Sequence, residues 1–273
     1  MLRQLCTSVL FLLLPVVFAF QPGTPTAFVL VGDSTTANGT TVNSGGWGNG
    51  FCGSSYNNTP SSLAPDTPCI NTAKNGATTG SFVADGSWNI SGSWFHHIHE
   101  FTPNLPLLVA NIQEQVAAGR RTLVTIQFGH NDMKIAPPES MGANLTVMVN
   151  QIRTLGAEPV LVTSLTRRTF FANGTIQDLL GPWADETILI SQQLGTHLID
   201  LHSTSITYCT KLGPDASHRL NRTPDDNTHL NTNGTIVFGR MVADLLNASF
   251  PNELPIIPNP GLTYNETNGI PSY

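Results

Sequence analysis

The sequence predicts a three-layer α/β/α sandwich with a central, mainly parallel sheet. Three observations lead to it. Short β-branched or apolar runs recur along the chain, and the stretches between them carry apolar residues at helical spacing. The runs are nearly continuous rather than alternating, as expected of strands covered by helices on both faces. The chain has 273 residues and unusually few charges, 11%, which suits one large core rather than two small ones.

Taken in order, the chain opens on "MLRQLCTSVLFLLLPVVFAFQ", one arginine before an apolar stretch that ends in Val17-Phe18-Ala19. This reads as a secretory signal peptide over residues 1–19, cut after Ala19. It contains Pro15 and falls short of the roughly 20 apolar residues a membrane span needs. No later segment qualifies, so a secreted protein with no membrane partner is expected. Residues 20–249 are expected to form the domain, and 250–273, rich in Pro and Asn, an irregular tail. Asn-x-Ser/Thr sequons at Asn38, Asn57, Asn89, Asn144, Asn173, Asn221, Asn233, Asn247 and Asn265 fit a secreted glycoprotein.

Within the domain, the first strand is placed at Phe28 to Val31 and the second at about Cys69 to Thr72. A helix follows over "LPLLVANIQEQVAAG", whose Gly119 is a stop signal. The third strand is Leu123 to Phe128, with a helix over "MGANLTVMVNQIRTLG" after it. The fourth is Pro159 to Thr163, then a helix over Trp183 to Leu194. The fifth is His197 to Asp200, and the last helix covers "TNGTIVFGRMVADLLN".

The formal charge is −6, and −7 once Arg3 leaves with the leader; that balance argues against nucleic acid as a partner. Of four cysteines, Cys6 leaves too. Cys52 and Cys69 flank a polar loop that a disulfide would close, and Cys209 is left either buried or exposed and reactive. No Cys-x-x-Cys pair exists, so no zinc site is expected; neither is a cofactor. A monomer is expected.

Open parallel sheets bind ligands beyond the carboxyl ends of their strands. Asp33-Ser34 leaves the first strand at that rim, "FGHND", residues 128–132, leaves the third, and "TSLTRRTF", residues 163–170, leaves the fourth. "GDST", "AKNGATTGSF", "FGHND" and "DNTHLNTNG" fall in the order of the four sequence blocks of the SGNH/GDSL hydrolases. Within that superfamily the wording most resembles the rhamnogalacturonan acetylesterase-like carbohydrate esterases, which also carry a Gly-Trp-Gly after the first block, here Gly46-Trp47-Gly48. The resemblance spans Phe28 to Leu246. It implies a serine esterase that removes O-acetyl groups from a plant cell-wall polysaccharide.

Ester hydrolysis needs a nucleophile, a base and donors for the oxyanion. Ser34 is the candidate nucleophile, His229 the base and Asp226 the residue that orients it, three positions away. The family pattern implies an oxyanion hole of the Ser34 N–H, the Gly76 N–H and the Asn131 side chain. Asp33 points away from Ser34, since adjacent residues leaving a strand face opposite ways, and reads as a turn-holding carboxylate. Asp132 is expected to support Asn131 similarly, and His130, either a residue behind the site or rim surface, is read as the latter.

"DASH", residues 215–218, repeats the Asp-x-x-His spacing, but His229 stands directly before the last helix, as the family's final block does, and is preferred to His218. "FHHIHEF", residues 95–101, lacks His-Glu-x-x-His and reads as an ordinary loop or helix start rather than a metal site. Arg167 and Arg168 are candidate ligands for a uronate carboxylate of pectin. Against that substrate, no arginine follows Gly76, where such esterases often have one. Rival readings are an acylhydrolase of lipid, aryl or acetylxylan esters, and a catalytically inactive carbohydrate-binding protein.

Overall fold

The computed structural model describes residues 24–55, 58–84 and 107–273. The leader, the sequons at Asn57 and Asn89 and the histidine-rich stretch 95–101 lie outside the described residues. Five strands, β1 (Thr26–Gly32), β2 (Cys69–Asn71), β3 (Arg121–Gln127), β4 (Glu158–Val162) and β5 (His197–Ile199), form one sheet in the order β2-β1-β3-β4-β5. Every pairing is parallel. All five fall where the apolar runs predict them.

Alternation along β1 divides the core between two faces. Phe28 and Leu30 pack with Trp47, Phe51, Phe238 and Val242, so α1 (Trp47–Cys52) and α8 (Thr232–Ser249) cover that side. Val29 and Val31 pack with Ile112, Leu145, Met148 and Ile190, so α3 (Leu107–Ala117), α4 (Pro138–Thr154) and α5 (Gly181–Leu194) cover the other. Each fully buried Leu, Ile or Phe stabilises this arrangement by roughly 1.5–3 kcal/mol, and a one-residue slip of β1 would exchange the two sets.

Further helices are α2 (Thr79–Ala84), α6 (Leu201–Leu212), α7 (Pro214–His218) and α9 (Pro260–Asn268). The sequence reading places no helix on any of these. In α6 a run of Ser and Thr, weak helix formers, hides the signal; Asp200 starts the helix by accepting the Ser203 N–H. The tail expected to be irregular instead carries α9, capped by Asn259, which accepts the Leu262 N–H. Its approach pairs Ile256 with Leu63, and Arg240 donates to the Ile257 carbonyl at 2.6 Å. Prolines excluded a helix only from the approach, and Pro260 sits in the first turn, where it is tolerated.

The expected disulfide joins Cys52 to Cys69, tying the end of α1 to the start of β2 across 17 positions. Cys209 is buried, and burial pushes its thiol up to about 11, far from the range of a reactive thiolate. The sequon asparagine Asn221 is buried too, its amide donating to Asn227 at 3.1 Å. Among the described residues no helix is long and apolar enough to cross a membrane.

Chain order reverses around β1: β2 lies on one side of it and β3 on the other. That reversal opens a crevice at the carboxyl ends of β1 and β3, the usual ligand position in such sheets. Ser34 leaves one of these strands and Asn131 the other.

Candidate active site

Ser34 sits two residues past β1 in a turn closed by the Thr36 and Ala37 N–H groups, which both donate to the Asp33 carbonyl. Asp33 is fully buried, and its Oδ1 accepts the Thr35 N–H at 2.9 Å and the Thr35 hydroxyl at 2.8 Å. This is the turn-holding role expected of it. Burial pushes the Asp33 carboxyl up, but His130 and the Thr35 donors outweigh that and hold it below its ordinary value.

A second layer braces the turn from inside the domain. Gln127, the last residue of β3, turns its buried Oε1 towards the hydroxyls of Thr35 and Thr36, at 2.9 and 2.7 Å, and accepts the Trp47 indole N–H at 3.1 Å. Trp47 in turn donates its main-chain N–H to the Thr35 carbonyl at 2.8 Å. The glycines beside it make this approach possible. A Cβ on Gly46 would lie 2.4 Å from Thr35 backbone, and one on Gly48 would lie 2.4 Å from the Thr36 carbonyl oxygen. Gln127 went unnoticed in the sequence, although a lone amide ending an otherwise apolar or β-branched strand is a usable signal.

His229 reaches Ser34 from the segment before α8. Its Nε2 lies 2.9 Å from the Ser34 hydroxyl oxygen, and its Nδ1 lies 2.9 and 3.1 Å from the two Asp226 carboxylate oxygens. With Nδ1–H donated to Asp226, Nε2 is left as the acceptor for the serine proton. Asp226 also accepts the main-chain N–H groups of His229 and Thr228 at 3.0 and 3.2 Å, and pairs with Arg222 at 3.0 Å. Burial pushes the Asp226 carboxyl up, but the His229 contacts and the Thr228 N–H outweigh it, so the carboxyl is held below its ordinary value. Such a row can move a proton from hydroxyl to imidazole and stabilise the imidazolium formed.

The two other predicted oxyanion donors lie on neighbouring loops tied to the same turn. Lys74 donates its N–H to the Gly32 carbonyl at 3.0 Å, extending the β2 side along the exit of β1. Two residues on, Gly76 is exposed at φ +77°, a conformation that favours glycine. Asn131 spends one amide N–H on the Ala77 carbonyl at 3.0 Å, and its oxygen accepts Lys134 at 2.8 Å. Its second N–H makes no hydrogen bond among the described residues. Asp132 fastens the two loops by accepting the Thr79 N–H and hydroxyl at 3.0 and 2.6 Å. Burial pushes the Asp132 carboxyl up despite these bonds.

Two expectations are corrected here. His130 is not rim surface: it is 1% exposed, with Nδ1 3.6 Å from Asp33 Oδ2, because the chain leaving β3 turns inward beneath the serine turn. Burial lowers its imidazole pKa, against the pull of Asp33. Arg168 is not at the rim either. It is fully buried, with its guanidinium bonded to Asn221 Oδ1 and, at 2.9 Å, to the His229 carbonyl. Burial pushes it down to about 10, so it keeps its charge at neutral pH. Of the two arginines only Arg167 is partly open; it donates to the His130 carbonyl at 3.3 Å and has no carboxylate partner among the described residues. The rival His218 is engaged elsewhere, its Nε2 lying 2.9 Å from the Arg168 carbonyl.

The chain is similar to known proteins in sequence and in fold. Residues 30–235 match the GDSL-like Lipase/Acylhydrolase family. The chain is 32% identical over 189 residues to the rhamnogalacturonan acetylesterase RhgT of Bacillus subtilis, spanning 64% of this chain and 72% of that protein. It is 30% identical over 125 residues to the uncharacterized esterase YxiM of the same organism, spanning 44% of this chain and 32% of YxiM. The crystal structure of YxiM superposes with a TM-score of 0.65 at 20% identity, over 86% of this chain and 59% of that one. An acetylxylan esterase of Geobacillus stearothermophilus does so with a TM-score of 0.54 at 14% identity, over 86% and 98%. At those identities the superpositions speak for the α/β/α fold.

Proposed function

The chain belongs to the GDSL-like lipase/acylhydrolase family and is a carboxylic ester hydrolase, and from that premise we propose that it is a secreted carbohydrate O-acetylesterase acting on plant cell-wall polysaccharide. The observation that carries the reading is the row Ser34–His229–Asp226, with contacts of 2.9 Å on both sides of the imidazole. The acetylesterase relative supports acetyl as the acyl group. The leader pattern supports export, as does the disulfide, which persists in oxidising compartments.

In this reading the Ser34 hydroxyl attacks the acetyl carbonyl while His229 Nε2 takes its proton. The oxyanion is held by the Ser34 and Gly76 N–H groups and the second amide N–H of Asn131. His229 then gives its proton to the sugar oxygen, which leaves, and an acetyl-serine remains. Water, deprotonated by the same imidazole, attacks that ester; acetate departs and Ser34 regains its proton.

Arg167 favours a sugar that carries a carboxylate. It is a cation beside His130-Asn131 with no acidic partner among the described residues, and a guanidinium fork fits a uronate. A pectic substrate is therefore preferred to acetylxylan. The test is acetate release from acetylated rhamnogalacturonan oligosaccharide and acetylated xylan, beside p-nitrophenyl acetate, butyrate and octanoate. The reading expects release from the pectic substrate and a steep fall in rate beyond acetate. A preference for octanoate would replace it with a lipid or aryl acylhydrolase. No turnover on any ester would favour a carbohydrate-binding protein.

A further inference from the structure

The pairing of β1 with β3 ends at Gly32 and Gln127. Past that point the two chains run separately to two of the proposed oxyanion donors, Ser34 on one and Asn131 on the other. The residues just before those donors are Asp33 and His130, and both are buried, at 0% and 1% exposed. His130 Nδ1 lies 3.6 Å from Asp33 Oδ2, and neither atom has a nearer hydrogen-bond partner among the described residues. Buried polar groups are rarely left alone, so each is the other's partner. The triad makes no use of this contact.

The path of the chain brings the ring there. Gly129, at φ +125°, turns the exit of β3 in a conformation that favours glycine, and a Cβ on it would lie 2.2 Å from Ser164 Oγ. Arg167, from the loop after β4, then holds the His130 carbonyl at 3.3 Å. Burial, with the Arg167 and Arg168 charges adding to it, holds the imidazole below its ordinary value against the pull of Asp33. At pH 7 the ring is therefore neutral, with one N–H to give, and the Asp33 carboxylate is the acceptor placed for it. The other Asp33 oxygen is engaged by Thr35, which fixes the carboxylate to the serine turn. Asn131's own bonds go to Ala77 and Lys134, and neither reaches that turn. The contact of Asp33 with His130 thus ties the two loops one residue from each donor.

We propose that His130 is a positioning residue of the esterase, which holds the Asn131 amide in place relative to the Ser34 N–H by bonding to Asp33. The inference rests on the reading of Ser34 and Asn131 as oxyanion donors.

The test is a double-mutant cycle on the full protein, with kcat and KM for p-nitrophenyl acetate and a thermal melt for each variant. His130→Phe removes the N–H and should lower kcat by about 100-fold, as expected of a misplacement near 1 Å, with KM within about twofold of the parent. His130→Asn sets an amide N–H close to the place of the imidazole Nδ1–H and should keep kcat within about fivefold. In an Asn131→Ala background His130→Phe should cost no more than about threefold, because a residue that acts through another is not additive with it. A folded His130→Phe that keeps its kcat, a His130→Asn no better than His130→Phe, or an equal loss in both backgrounds would each overturn the proposal and leave His130 to the stability of the core. Should His130→Phe not fold, His130→Gln, whose amide lies nearer the place of Nε2, replaces it in the cycle with the same expectations. An Asn131→Ala variant with the parent's kcat is a different failure: it removes the oxyanion reading itself, and this proposal with it.

Discussion

The buried guanidinium of Arg168 donates to the main-chain carbonyl of His229 at 2.9 Å, and the main-chain N–H of Arg168 donates to the carbonyl of Asn227, also at 2.9 Å. One residue thus grips the loop that carries both Asp226 and His229. Phe238 lies under the same cation, 6.0 Å from its ring centre.

It follows that Arg168 is a positioning residue. Arg168→Lys keeps a charge but loses the planar fork, so His229 should drift relative to Ser34. The expected result is a fall in kcat of about 100-fold, the cost of a misplacement near 1 Å, with KM on p-nitrophenyl acetate nearly unchanged. Arg168→Met should also lower stability, by about 1–3 kcal/mol for each buried acceptor it strands. A rise in KM on uronate substrates alone would return Arg168 to the substrate.

In the proposed mechanism Asn131 supplies one oxyanion donor, so Asn131→Ala should reduce kcat by about 100- to 1000-fold. Asn131 also ties its loop to Ala77, so a thermal melt is needed alongside the kinetics. A variant that melts normally and keeps full kcat would exclude Asn131 from the oxyanion hole.

Arg167 makes a different prediction, because a contact remote from the ester acts equally on ground and transition states. Arg167→Ala should raise KM roughly tenfold or more on acetylated pectic oligosaccharide, and leave acetylated xylan and p-nitrophenyl acetate unchanged. Equal losses on all three would assign Arg167 to holding the His130-Asn131 backbone. No loss on any would point to a neutral acetylated glycan.

Glu266 should give the fold a pH dependence. Its carboxyl is raised from 4.5 to about 9 in the folded chain, so the folded state binds the extra proton between those values. The contribution to stability is then complete below about pH 4.5 and is lost as pH rises towards 9. Glu266→Gln cannot titrate, so the difference in Tm between variant and parent should move in the variant's favour across that window. A constant difference would mean that the carboxyl ionises normally.

Much of this was legible in the sequence because the signals were local. Strand positions followed from apolar runs, and Ser34, Asp226 and His229 from the order of the four blocks, so that the structure brings together residues 195 positions apart. Arg168 was not legible: nothing in "TRRTF" says which arginine faces the core, and its partners Asn221 and His229 lie more than fifty positions away. His130 failed for a related reason, since burial of an imidazole depends on the path of the chain after β3. The helix α9 was hidden by the prolines that precede it, and α6 by its Ser and Thr content.

The central claim is that Ser34 and His229 act as one unit, with the Asp215-His218 pair uninvolved. Ser34→Ala, His229→Ala and His218→Ala should be compared for acetate release, with thermal melts to confirm folding. The account predicts that the first two each lose nearly all turnover, while His218→Ala, whose ring contacts the Arg168 carbonyl and the Phe170 ring, stays close to wild type. An active His229→Ala beside an inactive, folded His218→Ala would contradict it.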